Sequence, residues 1–248
     1  MDDGRAFKAE PDYPPPMTAI LSINGAALEA DASGALWWPA QRTLIVADLH
    51  FEKGSSYAAS GRLLPPYDTA ETLNRLEDAI ATRAASRVIC LGDSLHDGEA
   101  VRRIAAADRA RLASLVESCE WIWIEGNHDP EPHGLGGRVS AEWNEGPLTF
   151  RHAARPTNGS AHRPAGEISG HYHPCARMSW RGRSVGGRCF VHDGARLVMP
   201  AFGAYTGGLD VGDPAIRGLF PRGFRIDLIG RNKLHRFSSQ ALFDGVDG

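Results

Sequence analysis

Four β-rich runs in this chain each end in side chains that bind metals, and this coincidence restricts the possible folds more than any other feature. Leu44-Ile45-Val46-Ala47 is followed by Asp48-Leu49-His50, and Val88-Ile89-Cys90-Leu91 by Gly92-Asp93. Trp121-Ile122-Trp123-Ile124 runs on to Gly126-Asn127-His128-Asp129, and Glu167-Ile168-Ser169 to Gly170-His171-Tyr172-His173. Trp121 and Trp123 alternate with Ile122 and Ile124, the pattern of a strand covered on both faces. In open α/β sheets, ligands collect beyond the carboxyl ends of the strands. The four clusters are therefore expected to converge in space.

Side chains two apart on an extended segment point the same way, so Asp48 with His50, and His171 with His173, can each grip one centre. Glycine before Asp93, Asn127 and His171 is expected to let the backbone turn sharply where the ligand must face the site. Oxygen and imidazole donors without thiolate suit Mn²⁺, Fe or Zn²⁺ better than Ca²⁺, with Mg²⁺ also allowed.

Further β-rich runs fall at Ala19–Ile23, Ala35–Trp38, Leu148–Arg151, Cys189–His192, Leu197–Pro200 and Phe224–Ile229. Asp68 with Glu71 three residues on resembles a capping box, ahead of Leu73, Leu76 and Ile80 at helical spacing. A second helix is expected from about Glu99 to Ser118, with Val101, Ile104, Leu112, Leu115 and Val116 on one face. Strands and helices alternate at first, and then strands dominate. This order argues an α/β fold of two packed β-sheets flanked by helices. One domain is expected over residues 17–237, after a disordered segment 1–16 that carries Pro14-Pro15-Pro16, and before a flexible tail 238–248.

The four cysteines form no C-x-x-C pair, and no stretch is apolar for long enough to span a membrane, so a reducing, cytoplasmic setting is expected. A formal net charge of −3 does not announce a nucleic-acid binder. Residues 151–190, however, hold seven arginines and one acid, Glu167. A basic rim for a phosphate-rich substrate and a set of solvated loop arginines are both open readings. His192 reads as a hairpin-turn residue and His133 and His235 as solvated, while His96 is undecided.

Taken in order, Asp48-x-His50, Gly92-Asp93, Gly126-Asn127-His128-Asp129, a lone histidine and Gly170-His171-x-His173 resemble the signature of the calcineurin-like metallophosphoesterase superfamily. A closer resemblance spans about residues 20 to 230. Asp48-Leu49-His50-Phe51-Glu52-Lys53-Gly54-Ser55-Ser56, Leu64-Pro65-Pro66-Tyr67-Asp68 and Pro200-Ala201-Phe202-Gly203-Ala204-Tyr205-Thr206-Gly207-Gly208 are similar to the bacterial DNA-ligase-associated metallophosphoesterases, described as DNA-repair endonucleases.

The resemblance implies a four-layer α/β/β/α sandwich and two divalent metal ions, Mn²⁺ foremost. Asp48, His50 and His173 would hold the first, and Asp93 would bridge the two with both oxygens. Asn127, His171 and the lone histidine would hold the second. His152, at a strand end, fits that last position better than His162, which lies in the Gly/Pro-rich loop. A water or hydroxide between the metals would attack phosphorus in line. His128 would neutralise charge on the phosphate or protonate the leaving oxygen, and Asp129 would orient it.

The acid often found three residues after the bridging aspartate is replaced by His96, with Asp97 one further. Gly203–Gly208 reads as a tight turn, and the resemblance equally allows a wall of the site with Tyr205 near substrate. The implied function is a phosphodiesterase or nuclease acting on DNA in a repair system, in functional association with an ATP-dependent DNA ligase. Alternatives are a phosphoesterase for a small nucleotide or other metabolite, and a non-catalytic partner subunit. The complete ligand list weighs against the last.

Overall fold

The computed structural model describes residues 18–242 apart from 60, 62–64, 66, 131–132, 157–165, 181–182 and 232. The expectations for residues 1–16 and for His162 lie outside the described residues. The chain opens with an antiparallel meander, β1 (Thr18–Ile23), β2 (Ala26–Asp31), β3 (Leu36–Trp38) and β4 (Thr43–Val46). Helices α1 (Lys53–Ala59) and α2 (Asp68–Arg83) lead to β5 (Arg87–Cys90), and α3 (Ala100–Arg103) and α4 (Ala106–Ser118) lead to β6 (Glu120–Ile124). With β7 (Arg138–Ser140), strands β4 to β7 pair in parallel, so the first sheet runs in chain order.

The second sheet holds β8 (Glu142–Glu145), β9 (Leu148–Arg151), β10 (Glu167–Ser169), β11 (Pro174–Trp180), β12 (Arg183–His192), β13 (Arg196–Val198) and β14 (Leu209–Asp210). Their order is β14-β11-β12-β13-β10-β9-β8. After α5 (Pro214–Arg217), β15 (Arg225–Ile229) pairs with β12 and with β16 (Leu234–Ser238).

The pleat sorts apolar residues between layers. Ile45, Ile89, Ile122 and Ile124 face the second sheet, where they pack with Phe150, Ile168, Phe190 and Leu197. Leu44, Val46, Val88, Cys90, Trp121 and Trp123 turn to the other face, under Leu73, Leu76, Leu112 and Val116 of α2 and α4. Each such buried side chain contributes about 1.5–3 kcal/mol. The outer face of the second sheet is covered more thinly, by Ile216 of α5 with Val211, Leu219, Phe220 and Phe224. The expected arrangement of two packed sheets with helices outside is therefore present, with an outermost layer there of one short helix and turns.

Several local expectations are corrected. Asp68 does not cap its own helix; its carboxylate accepts from the Gly54 amide at 2.8 Å, which ties α2 to α1. The helix expected from Glu99 to Ser118 is two helices, because Ile104 and Ala105 adopt extended ψ values of 124° and 144° between them. β2 escaped notice because Ala26, Leu28 and Ala30 alternate inward without the β-branched residues that mark strands. His192 is not in a turn. It ends β12, buried, with Nε2 3.0 Å from Asp227 Oδ2, while Asp227 Oδ1 accepts from Arg236 Nε at 2.8 Å. His133 is not solvated either, since its ring meets Trp123 edge-on with centroids 4.8 Å apart. His235 lies half-buried within β16. Beyond the expected boundary, Ser239–Leu242 form a helical turn, and the Ser239 amide donates to the Phe224 carbonyl at 2.8 Å. No helix among the described residues is long and apolar enough to cross a membrane.

Candidate metal centre

Because β4, β5 and β6 run parallel, their carboxyl ends lie side by side, and the following loops are stitched together through their backbones. The Asp48 amide donates to the Gly92 carbonyl at 3.3 Å, and the His50 amide to the Asp93 carbonyl at 2.9 Å. The end of β10 closes the site from the second sheet. There the His171 amide donates to the Asp48 carboxylate, at 3.1 and 3.0 Å from its two oxygens, and the Gly170 amide donates to the His152 carbonyl at 2.9 Å.

The side chains meet as the loops do. Donor atoms of Asp48, His50 and His173 lie within 4.8 Å of one another, as do those of Asp93, His152 and His171, and those of His50, Asp93 and His128. His50 Nε2 stands 3.4 Å from His173 Nε2, and His173 Nε2 is 3.2 Å from Asp48 Oδ1. In the second group His152 Nε2 is 2.9 Å from Asn127 Oδ1, 3.0 Å from His171 Nδ1 and 3.4 Å from Asp93 Oδ2. His152 Nδ1 donates to the Leu91 carbonyl at 2.9 Å, which turns Nε2 to the cluster. His171 and His173 thus belong to separate groups instead of gripping one centre together.

Asp93 sits between the groups, but its two oxygens are not alike. Oδ1 accepts from the His128 amide at 2.9 Å, and Oδ2 lies towards His50, His128 and His152.

This convergence is held by unusual backbone. Asp48, His50, Glu52, Asp93, His171 and His173 all have positive φ, between 44° and 72°. Extended geometry was expected here; instead, left-handed residues aim successive side chains inward, and such strain persists where surroundings over-determine it. Of the glycines preceding ligands, Gly92 turns the chain as expected, with φ 76°. Gly126 is required for a different reason, since a Cβ there would fall on the amide nitrogen and Oδ1 of Asp93.

Asp48 and Asp93 are 0% and 3% exposed and, among the described residues, pair with imidazoles and with no Arg or Lys. Buried carboxylates require a positive partner. With imidazole and amide oxygen donors around them, these residues fit divalent cations of the borderline class. Burial, helped by His173, holds His50 well below its ordinary range. Burial also opposes charge on His152, yet the hydrogen bond and charges of Asp93 and Asp48 push it up to about 9. Burial would raise Asp93, but His152 and the His128 amide outweigh it and hold the carboxyl well below its ordinary range. The cluster is thus built to draw positive charge.

His128 is partly exposed, with Nε2 3.9 Å from Asp93 Oδ2. Its Nδ1 meets the His96 backbone carbonyl at 2.7 Å. The carboxylate expected to orient it, Asp129, points elsewhere. It accepts from the amides of Ser94 at 2.8 Å, Leu95 at 3.1 Å and Gly126 at 3.1 Å, and so braces the loop that carries Asp93. Burial raises Asp129 to about 6. Asp97 turns outward to Arg103 at 2.7 Å.

His96, undecided from sequence, lies at the site. Its ring stacks between Tyr57 and His128, and its Nδ1 is 3.4 Å from His50 Nδ1. Burial, and then Lys53, hold it below its ordinary range. Its place three residues after Asp93 was the signal; its chemistry hid it, because an acid was expected there. Two of the seven arginines of segment 151–190 are committed internally, Arg151 to Glu142 and Glu167 and Arg188 to the carbonyls of Ala201 and Ser33, while Arg155 meets Glu142 at the surface. Arg177 is exposed.

Comparison with known proteins agrees with this geometry. The sequence model of the calcineurin-like phosphoesterases matches residues 41–195. The crystal structure of the Pseudomonas putida nuclease MPE is similar over 88% of this chain and 100% of that one, with 32% identity and a TM-score of 0.66. The E. coli phosphoesterase Yfce matches over 81% of this chain and 98% of its own, at 14% identity and a TM-score of 0.41. No curated protein sequence matches. The family model over residues 41–195, the likeness to the P. putida nuclease and the converged donor groups lead to one conclusion: the chain belongs to the calcineurin-like phosphoesterase family and is a metal-dependent phosphoester hydrolase.

Proposed function

We propose that this hydrolase is a phosphodiesterase that cleaves DNA, with two divalent ions, Mn²⁺ foremost, at the paired donor groups. The observation that carries the nuclease reading is likeness over the entire length of the P. putida nuclease. Asp48, His50 and His173 would hold one ion, and Asn127, His152 and His171 the other, with Asp93 between them. When bound, two such ions acidify water and stabilise attacking and leaving oxygens in an in-line displacement. His152 presents Nε2 because Leu91 holds its other nitrogen. His128, partly exposed and fixed by the His96 carbonyl, meets the phosphate and carries a proton at Nε2 towards the leaving oxygen, or neutralises charge there. Asp129 keeps the Asp93 loop in place.

The resemblance to ligase-associated relatives supports a repair setting beside an ATP-dependent DNA ligase in the cytoplasm. A small nucleotide is the competing substrate, favoured by the net charge of −3 and by the internal commitment of Arg151 and Arg188. The deciding experiment supplies Mn²⁺ and compares nicked, single-stranded and flapped DNA with a nucleotide panel, using bis-p-nitrophenyl phosphate to report the metal centre. Turnover of nucleotides with no cleavage of any DNA would reject the nuclease reading.

A further inference from the structure

Among the described residues, the non-glycine positions with positive φ fall into two sets. Asn24, Arg42 and Ala84 occupy a turn and two helix ends. The others are Asp48, His50, Glu52, Asp93, His171 and His173 of the ligand loops, and Tyr205, with φ 60°. A bulky aromatic residue has no preference for left-handed backbone, so its surroundings must impose it.

Those surroundings are the metal loops themselves. The Gly203 amide donates to the Asp48 carbonyl at 3.1 Å, and the Leu209 amide donates to the His173 carbonyl at 3.1 Å. Asp48 and His173 belong to the same donor group. Between these anchors the Ala204 amide donates to Thr72 Oγ1 at 3.0 Å, and Thr206 Oγ1 donates to the Gly203 carbonyl at 2.8 Å. Segment 203–209 is therefore a short strap pinned at both ends to the backbone of one metal site, with Tyr205 near its middle. Despite this anchoring the tyrosine is 44% exposed. A large, partly exposed ring on the left-handed residue of a strap tied to the metal loops is not accounted for by core packing.

We propose that Tyr205 is a stacking platform for a nucleobase flanking the scissile phosphate, and so a specificity-determining residue for nucleic acid over phosphodiesters that lack bases. Every base offers a π-face, so the contact tolerates any sequence. The proposal rests on the nuclease reading above and adds to it where the substrate is held.

The test measures kcat/KM with Mn²⁺ for the wild type, Tyr205→Phe and Tyr205→Asn. The substrates are a single-stranded deoxyoligonucleotide and an abasic oligonucleotide of the same length. Asparagine tolerates left-handed backbone, so Tyr205→Asn removes the ring without forcing the strap to move. Loss of one stacked base is expected to lower kcat/KM on the base-bearing strand by roughly 5- to 150-fold. Tyr205→Phe should stay near wild type, and the abasic strand should be cleaved equally by all three. Metal content and melting temperature should not change. Equal losses on both strands would make Tyr205 a support of the metal site, and no loss on either would show that it stacks on nothing; each result overturns the proposal alone. Wild-type protein that hydrolyses bis-p-nitrophenyl phosphate but neither oligonucleotide overturns the nuclease reading, and the proposal with it, before any variant is made.

Discussion

The imidazole Nδ1 of His128 lies 2.7 Å from the backbone carbonyl of His96. A carbonyl can only accept, so Nδ1 donates to it, and Nε2 is turned towards Asp93 Oδ2, 3.9 Å away. This fixes the ring with a backbone carbonyl in place of an orienting carboxylate.

His128→Ala is therefore expected to lower kcat on a phosphodiester by about 10²–10⁴-fold, the usual range for a positioned acid or charge-stabilising group. Metal content per chain should be unchanged. Because His128 also lies within 4.8 Å of donor atoms on His50 and Asp93, parallel loss of metal and turnover would make it a ligand instead.

Asp93 is shared by two of the three donor groups, and its Oδ2 faces both. Asp93→Ala should abolish Mn²⁺-stimulated hydrolysis, and excess metal should not restore it. Titration of the purified variant with Mn²⁺ should show both ions weakened. Retained activity would exclude a shared-carboxylate centre.

Gly126→Ala tests close approach in isolation. The added Cβ would meet the backbone of Asp93 and lie 2.6 Å from Asp129 Oδ1, on a carboxylate that three backbone amides hold in place. A loss of about 1–3 kcal/mol of stability is expected, with weaker metal binding. Gly98→Ala, with nothing within 4 Å of its Cβ, is the control and should stay within about 0.5 kcal/mol. Equal melting temperatures for the two variants would contradict the crowding.

Much of this was legible in the sequence because apolar runs ending in Asp, His or Asn carry both the fold and the site. Asp48, Asp93, Asn127 and His171 could be placed at strand ends from pattern alone. The illegible part depended on tertiary partners. Nothing local shows that Asp129 would turn to three backbone amides, or that a carbonyl would do the orienting. Periodicity could not reveal the left-handed backbone that separates His171 from His173, since period-two reasoning assumes extension. β2 was hidden by alanines that pair only because β1 and β3 flank them.

The buried pair His192–Asp227 lies outside the metal site. His192→Leu would leave Asp227 Oδ2 without its 3.0 Å partner, although Arg236 still holds Oδ1. A loss of about 1–3 kcal/mol in denaturant unfolding is expected, with kcat unchanged. A fall in kcat without a fall in stability would give this pair a part in the chemistry.

His133 supplies a pH dependence remote from the ligands. Burial lowers it from about 6.5 to about 4, and its ring is seated edge-on against Trp123. Between those values the unfolded chain binds a proton that the folded chain refuses, so acidification favours unfolding. Its contribution to stability is complete above about pH 6.5 and is lost progressively as the pH falls towards 4. Allowing for the part of the ring that water reaches, the loss at pH 5 is about 1 kcal/mol. Melting temperatures at pH 7 and pH 5 should fall further apart in the wild type than in His133→Phe, which keeps an aromatic edge on Trp123 and cannot titrate. If both proteins lose the same number of degrees, the acid sensitivity of this fold lies in other groups.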